Sequence, residues 1–351
     1  MELLQETLSK IQEPNRNVEE LAQRRLDNLT KPLGSLGVLE EIASRLAGIQ
    51  GQALPKLPKE KAIIVLAGDH GVTNEGVSAF PQEVTPQMVL NFLRGGAGIN
   101  VLARQAGAKV VVADIGVAGE PLEYEGLISC RVKSGTDNFV LGPAMSQEEA
   151  VKAIETGIAL VQQQIHDSVA LVGTGEMGIG NTTPSAAILA VFSGLNPIDV
   201  TGRGTGIDDT RMQHKAQVIA KAIEVNRPNP KDGLDVLAKM GGLEIAGLTG
   251  VILGCAARGI PVVIDGFISC AAALVANSIA PLSREYMFAS HLSGEQGHRL
   301  MLELLGLKPM LHLDMRLGEG TGASLAFHLV ESAVLIINEM ATFDEAGVSQ
   351  G

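Results

Sequence analysis

Residues 169–192 read VALVGTGEMGIGNTTPSAAILAVF: a β-branched run, a glycine-rich loop, then an apolar stretch of helical character. A strand that passes through glycines into a helix is the repeating unit of an α/β sheet. The loop itself supports three ligand readings. Gly173, Gly175 and Gly178 spell GxGxxG after a strand, and Asp199 follows about 20 residues later, as a dinucleotide site asks. In such a site the helix begins inside the glycine motif, whereas Thr183 as N-cap and Pro184 at the first helical position begin it later. In the second reading Gly175 to Gly180 spell GxxxxG, but Asn181 stands where a P-loop carries its lysine, so the cation that reaches the β and γ phosphates is missing. In the third, backbone N–H groups beside a helix start hold one phosphate or a ribose phosphate. A strand-to-helix turn without a ligand is the alternative.

Similar runs lie on either side. AIIVLAGDHG, KVVVADIGV, VALVGTGE, IPVVIDGF and, with a looser pattern, PMLHLDMRLGEG are expected strands. Between them, SQEEAVKAIETGIALVQQQI is an expected helix opened by Ser146 with Glu149 as a capping box, and further helices are expected over about 86–105, 183–193, 210–225, 243–258, 269–279 and 323–340. The alternation predicts an α/β fold: a doubly wound, mostly parallel sheet with helices on both faces and ligands beyond the carboxyl ends of the strands. NVEELAQRRLDNL and GVLEEIASRLAGI are helical in period, with TKPLGSLG as a breaker between them. The expected organisation is a helical subdomain segment over 1–60 completed by distant pieces, an α/β domain over 61–345, and a tail over 346–351.

Composition narrows the function classes. With 351 residues and 46% hydrophobic, the chain can bury a large core. It has 8 Phe, 2 Tyr and no Trp, a poor supply for stacking nucleic-acid bases, and its net charge of -12 argues against a basic face for nucleic acid. GFISCAAALVANSIA and SLAFHLVESAVLIINEM are interrupted by polar residues and read as buried helices rather than membrane spans. MELLQETLSKIQE carries acids where a secretory signal carries cations. Cys130, Cys255 and Cys270 are odd in number and lack CxxC spacing, which fits a reducing cytoplasm and no zinc cluster.

The remaining motifs are polar. VTGRGTGIDDTRMQHK (200–215) offers Gly202, Gly204 and Gly206 for close backbone approach, with Lys215 one or two helical turns on. Asp208 and Asp209 suit a helix start, or a Mg²⁺ ion if further oxygen ligands join them. SHLSGEQGH (290–298) spaces His291, Glu295 and His298 at i, i+4 and i+7, but Ser293, Gly294 and Gly297 favour a polar loop at a site edge over a metal-binding helix. GDHG (68–71) is either a ligand-facing strand end through Asp69 and His70 or a hydrogen-bonded turn. Asp265 ends PVVID as a single acid, unlike the paired acids of pyrophosphate-using phosphoribosyltransferases. LGEGTG (317–322) sets one carboxylate, Glu319, among glycines.

Together, KPLGSLG, GDHGV, EGVSAFPQEVT, GGAGINVLAR, ADIGV, GEMGIGNTT, GRGTGIDD, DGFIS, SHLSGEQGH and LGEGTGAS, in this order over nearly the whole chain, resemble the nicotinate-nucleotide:dimethylbenzimidazole phosphoribosyltransferases of cobalamin lower-ligand synthesis. The resemblance implies a Rossmann-like domain, transfer of 5-phosphoribosyl from nicotinate mononucleotide to 5,6-dimethylbenzimidazole with inversion, no metal or cofactor, and a cytoplasmic homodimer. It implies Glu319 as general base with Glu176 assisting. It places Gly178, Gly180, Asn181, Gly204, Gly206, Lys215, Asp265, Ser293, Gly318 and Gly320 around the nucleotide, and Ser78, Phe80, Gln87, Met177 and Leu317 around the benzimidazole. The readings it displaces are a nicotinamide-dependent oxidoreductase and a catalytically silent nucleotide-binding regulator.

Overall fold

A computed structural model describes residues 1–166, 168–204 and 206–349. Its main sheet has six parallel strands, β1 (Glu60–Gly68), β2 (Ala108–Gly116), β3 (Ile128–Ser129), β4 (Val169–Met177), β5 (Val262–Ile264) and β6 (Met287–Ala289), in the order β3-β2-β1-β4-β5-β6. The chain winds outward in both directions from β1, so the order reverses between β1 and β4, and a crevice opens there at the carboxyl ends. Alternation along β1 feeds both faces. Ala62, Ile64 and Leu66 enter one core with the helices Gln147–Gln164 and Leu243–Ala257; Ile63, Val65 and Ala67 enter the other with Phe327 of the helix Thr321–Glu339.

The two helices over the first face pack at backbone distance. A Cβ on Gly157 would lie 1.9 Å from the carbonyl oxygen of Gly247, so only glycine permits the approach. Over the second face, Thr321–Glu339 packs against Val38–Gln50 and Gly98–Ala106, with Arg16–Asp27 beyond. Thr321–Glu339 is long and apolar enough to cross a membrane, but 56% of it is buried inside the protein. Arg45 covers the outer edge of the sheet: its guanidinium donates to the Met287 carbonyl at 2.8 Å and lies 4.3 Å from the Phe288 ring centroid.

The elements differ from expectation in several places. The stretch 86–105 is two helices, Val84–Leu93 and Gly98–Ala106, because Gly95 turns left-handed at φ 76 and ends the first. PMLHLDMRLGEG contributes no strand to the main sheet; Leu311–His312 (β8) pairs only with His291–Leu292 (β7) in a separate ladder, and Asp314 at φ 53 breaks the extended run. The strands that complete the sheet are β3 and β6 instead, the first only two residues long and the second without β-branched residues or a terminal glycine or acid. Gly233–Met240 and His298–Leu305 are additional helices. The helix after β4 starts at Thr182, with Asn181 as N-cap, ahead of the predicted Thr183. The capping box of Ser146 and Glu149 is present. Of the predicted tail, residues 350–351 lie outside the described residues.

Candidate active site

A cavity of ≈ 410 Å³ opens at the carboxyl ends of β4 and β5. Of the residues singled out from sequence, it gathers Phe80, Glu176, Met177, Gly178, Asn181, Gly204, Asp265, Ser293, Leu317, Gly318 and Glu319 on its wall. The others stand behind or beside it. Lys215 is fully buried and reaches Thr182 Oγ1, on the wall, at 2.6 Å. The Gly320 amide donates to Asp265, Gly180 packs against Thr73, and Gly206 is exposed in a loop whose Thr205 lies outside the described residues. Ser78 accepts the Phe80 amide at 3.2 Å, and Gln87 points to solvent. From the helix Val84–Leu93 it is Val84 and Met88, one turn apart, that line the cavity. That i, i+4 apolar pair was a readable signal. His291, Glu295, Arg316 and Phe267 also line the wall.

The acids are organised by backbone amides. Gly318, Glu319 and Gly320 are successive residues with φ 83, 65 and 92. A left-handed glutamate costs about 1–3 kcal/mol and persists where its surroundings over-determine it. Here Asp265 accepts the amides of Gly320 at 3.1 Å and Ala323 at 2.9 Å, which also caps the helix Thr321–Glu339. Glu176 accepts from the Glu319 amide and from Asn181 Nδ2. A Cβ at 318 would lie 2.3 Å from Glu176 Oε1, so the carboxylate sits where only glycine leaves room. Oε2 of Glu319 accepts the Ile99 amide at 3.1 Å.

Burial raises the proton affinity of all three carboxyls. Glu176 is pushed up to about 8, with Glu244 and Asp265 adding negative charge nearby, and Asp265 to about 7 against the pull of its amides. Glu319 is also raised by burial, with the Ile99 and Gly98 amides acting the other way. Lys215 is pushed down to about 8 by burial, opposed by Glu295. The site therefore presents acids that can carry a proton near neutrality and a buried cation behind a glycine-rich wall.

The GDHG turn is structural. Asp69 accepts from Thr85 Oγ1 at 2.7 Å and the Ala118 amide at 2.9 Å, while Thr85 Oγ1 accepts the Ile179 amide at 3.1 Å. This chain fixes the loop after β4. His70 pairs with Glu244 at 2.9 Å, buried. SHLSGEQGH is not a helix across its length: His291 lies in β7, Glu295 in the loop, and His298 begins the next helix. His298 Nδ1 accepts the Ser293 amide at 2.8 Å, so its proton sits on Nε2, 3.1 Å from Cys270 Sγ. Asp208 caps the helix Asp209–Asn226, and Asp209 pairs with Arg203. Among the described residues no group of three or more His, Cys, Asp or Glu is arranged to hold a metal ion.

A family model described as a phosphoribosyltransferase matches residues 11–348. The chain is 73% identical over 351 residues, covering 100% of both, to a protein of Desulforamulus reducens named nicotinate-nucleotide–dimethylbenzimidazole phosphoribosyltransferase. It is 59% identical over 351 residues to a protein of that name from Geobacter sulfurreducens, covering 100% of this chain and 99% of the relative. Its fold is similar to the crystal structure of CobT from Thermus thermophilus, with TM-score 0.91 and 49% identity over 95% of this chain and 100% of that one.

Proposed function

The chain belongs to the nicotinate-nucleotide–dimethylbenzimidazole phosphoribosyltransferase family, and we propose that Glu319 is the base in its reaction. The reaction moves the 5-phosphoribosyl group of nicotinate mononucleotide to dimethylbenzimidazole. One benzimidazole nitrogen attacks the anomeric carbon, the bond to the nicotinate ring nitrogen breaks, and that ring leaves with the bonding pair. The other benzimidazole nitrogen gives its proton to a carboxylate. Attack on the face opposite the leaving ring inverts the anomeric carbon and yields α-ribazole 5'-phosphate. A pyridinium leaving group needs no protonation, so the chemistry asks for one base and for support of a developing sugar cation, which the neighbouring carboxylates can give.

The observation that carries this reading is the Glu319 carboxylate on the cavity wall, desolvated and held through one oxygen. Glu176 fixes the base's own backbone and assists from beside it. Asn181, Gly178, Gly180, Gly204, Gly206, Lys215, Ser293, Asp265, Gly318 and Gly320 form the nucleotide side, and Phe80, Met177 and Leu317, with Ser78 and Gln87 at the rim, form the benzimidazole side. Assembly of two copies is part of this proposal, and the exposure of Phe80 and Leu317, 53% and 60% at the cavity mouth, supports it. Free thiols at all three cysteines support a reducing cytoplasm as the compartment. The test is incubation with both substrates in chelator, with α-ribazole phosphate identified by mass spectrometry and its anomeric configuration by NMR. No product, or the β anomer, refutes the proposal.

A further inference from the structure

The helix Gly98–Ala106 opens with Ala97 at its N-cap, a residue with no side-chain acceptor for the first amides. Asn100 spends its side chain elsewhere, accepting the Ala97 amide at 3.1 Å and donating to the Phe92 carbonyl at 3.0 Å. The missing cap comes from 220 residues away: Glu319 Oε2 accepts the Ile99 amide at 3.1 Å, with the Gly98 amide also directed at the carboxylate. The approach needs glycine at 98. A Cβ there would stand 3.3 Å from Glu319 Oε2 and 2.9 Å from Leu317 Cδ2, touching the base and the slot wall at once.

We propose that the GGAGIN segment, residues 95–100, is a positioning element for the base: the Ile99 amide holds Oε2 of Glu319, the Gly98 amide is directed at the same carboxylate, and the carboxylate so oriented takes the benzimidazole proton. This rests on Glu319 being the base. The segment supplies donors and partial positive charge at a helix start but no acid or base of its own to that contact, so it orients the carboxylate without competing for the proton. Two groups oppose it. Burial favours the protonated form of Glu319, and the neighbouring acids Asp265 at the end of β5 and Glu176 at the end of β4 face the same loop. Arg316, on the Glu319 loop itself, donates to the Gly204 carbonyl at 3.0 Å and is engaged there. The amides therefore oppose the burial that raises the proton affinity of the base, and removing one of them raises it further.

The test compares single-turnover rates against pH for wild type, Gly98→Ala, and a protein in which the amide at 99 is replaced by an ester through the α-hydroxy analogue of isoleucine. Alanine is the better helix former at 98, so lost activity there is not lost helix. Both changes are expected to move the acid limb of the rate up by about half to one pH unit. At neutral pH the rate falls about 3- to 10-fold and recovers in alkali, while KM for nicotinate mononucleotide stays within about twofold. A fall in rate that is the same at every pH, or an acid limb that does not move in the ester protein, overturns the inference. Glu319→Gln in the same assay separates the two levels: wild-type turnover in that variant removes the base assignment itself, whereas an inactive variant beside unshifted Gly98→Ala and ester profiles removes only the positioning role.

Discussion

The ammonium of Lys215 lies 2.6 Å from Thr182 Oγ1, with only 1% of the lysine exposed. A lysine walled off from water beside the Gly204 loop, with one hydroxyl partner, retains further N–H donors, and its proposed role toward the nucleotide is open to test.

Replacing it by methionine is expected to raise KM for nicotinate mononucleotide about 10- to 100-fold with a smaller change in kcat, as for loss of a charged hydrogen bond. Burial holds Lys215 down to about 8, so the charge is present below that pH and lost above it. Wild-type KM should therefore climb above pH 8, and steady-state kinetics on Lys215→Met should show no such break.

Glu319→Gln is expected to bind both substrates and lose about 100-fold or more of kcat. The base must be ionised, and burial raises its proton affinity, so wild-type kcat should fall on the acid side at a pH above the ordinary glutamate range. Calorimetric binding with unchanged affinity, alongside the rate loss, is the check.

His298 links stability to pH. Burial drives its pKa down to about 3, so the unfolded chain takes a proton on this ring that the folded one refuses. Its stabilising contribution is complete above the unfolded value of about 6.5 and is lost as pH falls from there toward 3, by about 1.4 kcal/mol per unit in the middle of that window. His298→Asn keeps an acceptor near the Ser293 amide, and its unfolding free energy in urea should depend less on pH between 6.5 and 5 than that of wild type. His298→Leu leaves that amide unpaired and should cost about 1–3 kcal/mol more.

Gly157→Ala forces a methyl into the Gly247 carbonyl across the seam of two buried helices. The expected cost is about 3 kcal/mol, at the upper end of overpacking, read as a lowered Tm. Neither Gly157 nor Gly247 lines the cavity, so KM of the protein that still folds should match wild type.

Four apolar runs that precede β6 were legible because each strand that is covered on both faces must be apolar at successive positions, and β1, β2, β4 and the shorter β5 all answered to that pattern. The glycine-rich loop after β4 stood out in the sequence, and its Gly178 and Asn181 line the cavity. What escaped was short or non-local. β3 is Ile128–Ser129, two residues, and β6 is Met287–Ala289, which has no β-branched residue and no glycine or acid at its end, unlike the equally short β5. Met88 and Val84 carried an i, i+4 signal, but which face of that helix meets the cavity depends on Thr85 bonding Asp69 sixteen residues earlier. His298 and His291 come within 6.1 Å between ring centroids, but from a helix start and a strand rather than one helix face, and each ring bonds its own neighbours.

By itself the sequence determined an α/β sheet with glycine loops at the strand ends and one glutamate among glycines near residue 319, because hydrophobic period and glycine spacing are local properties of a chain. Tertiary structure decided what surrounds that glutamate. Its left-handed backbone is held by amides turned toward Asp265 and Glu176, and its carboxylate by Ile99. Hydrogen bonds between residues so far apart have no signature in spacing, and desolvation, which sets the proton affinity of every acid in the cavity, exists only once the elements have closed around it.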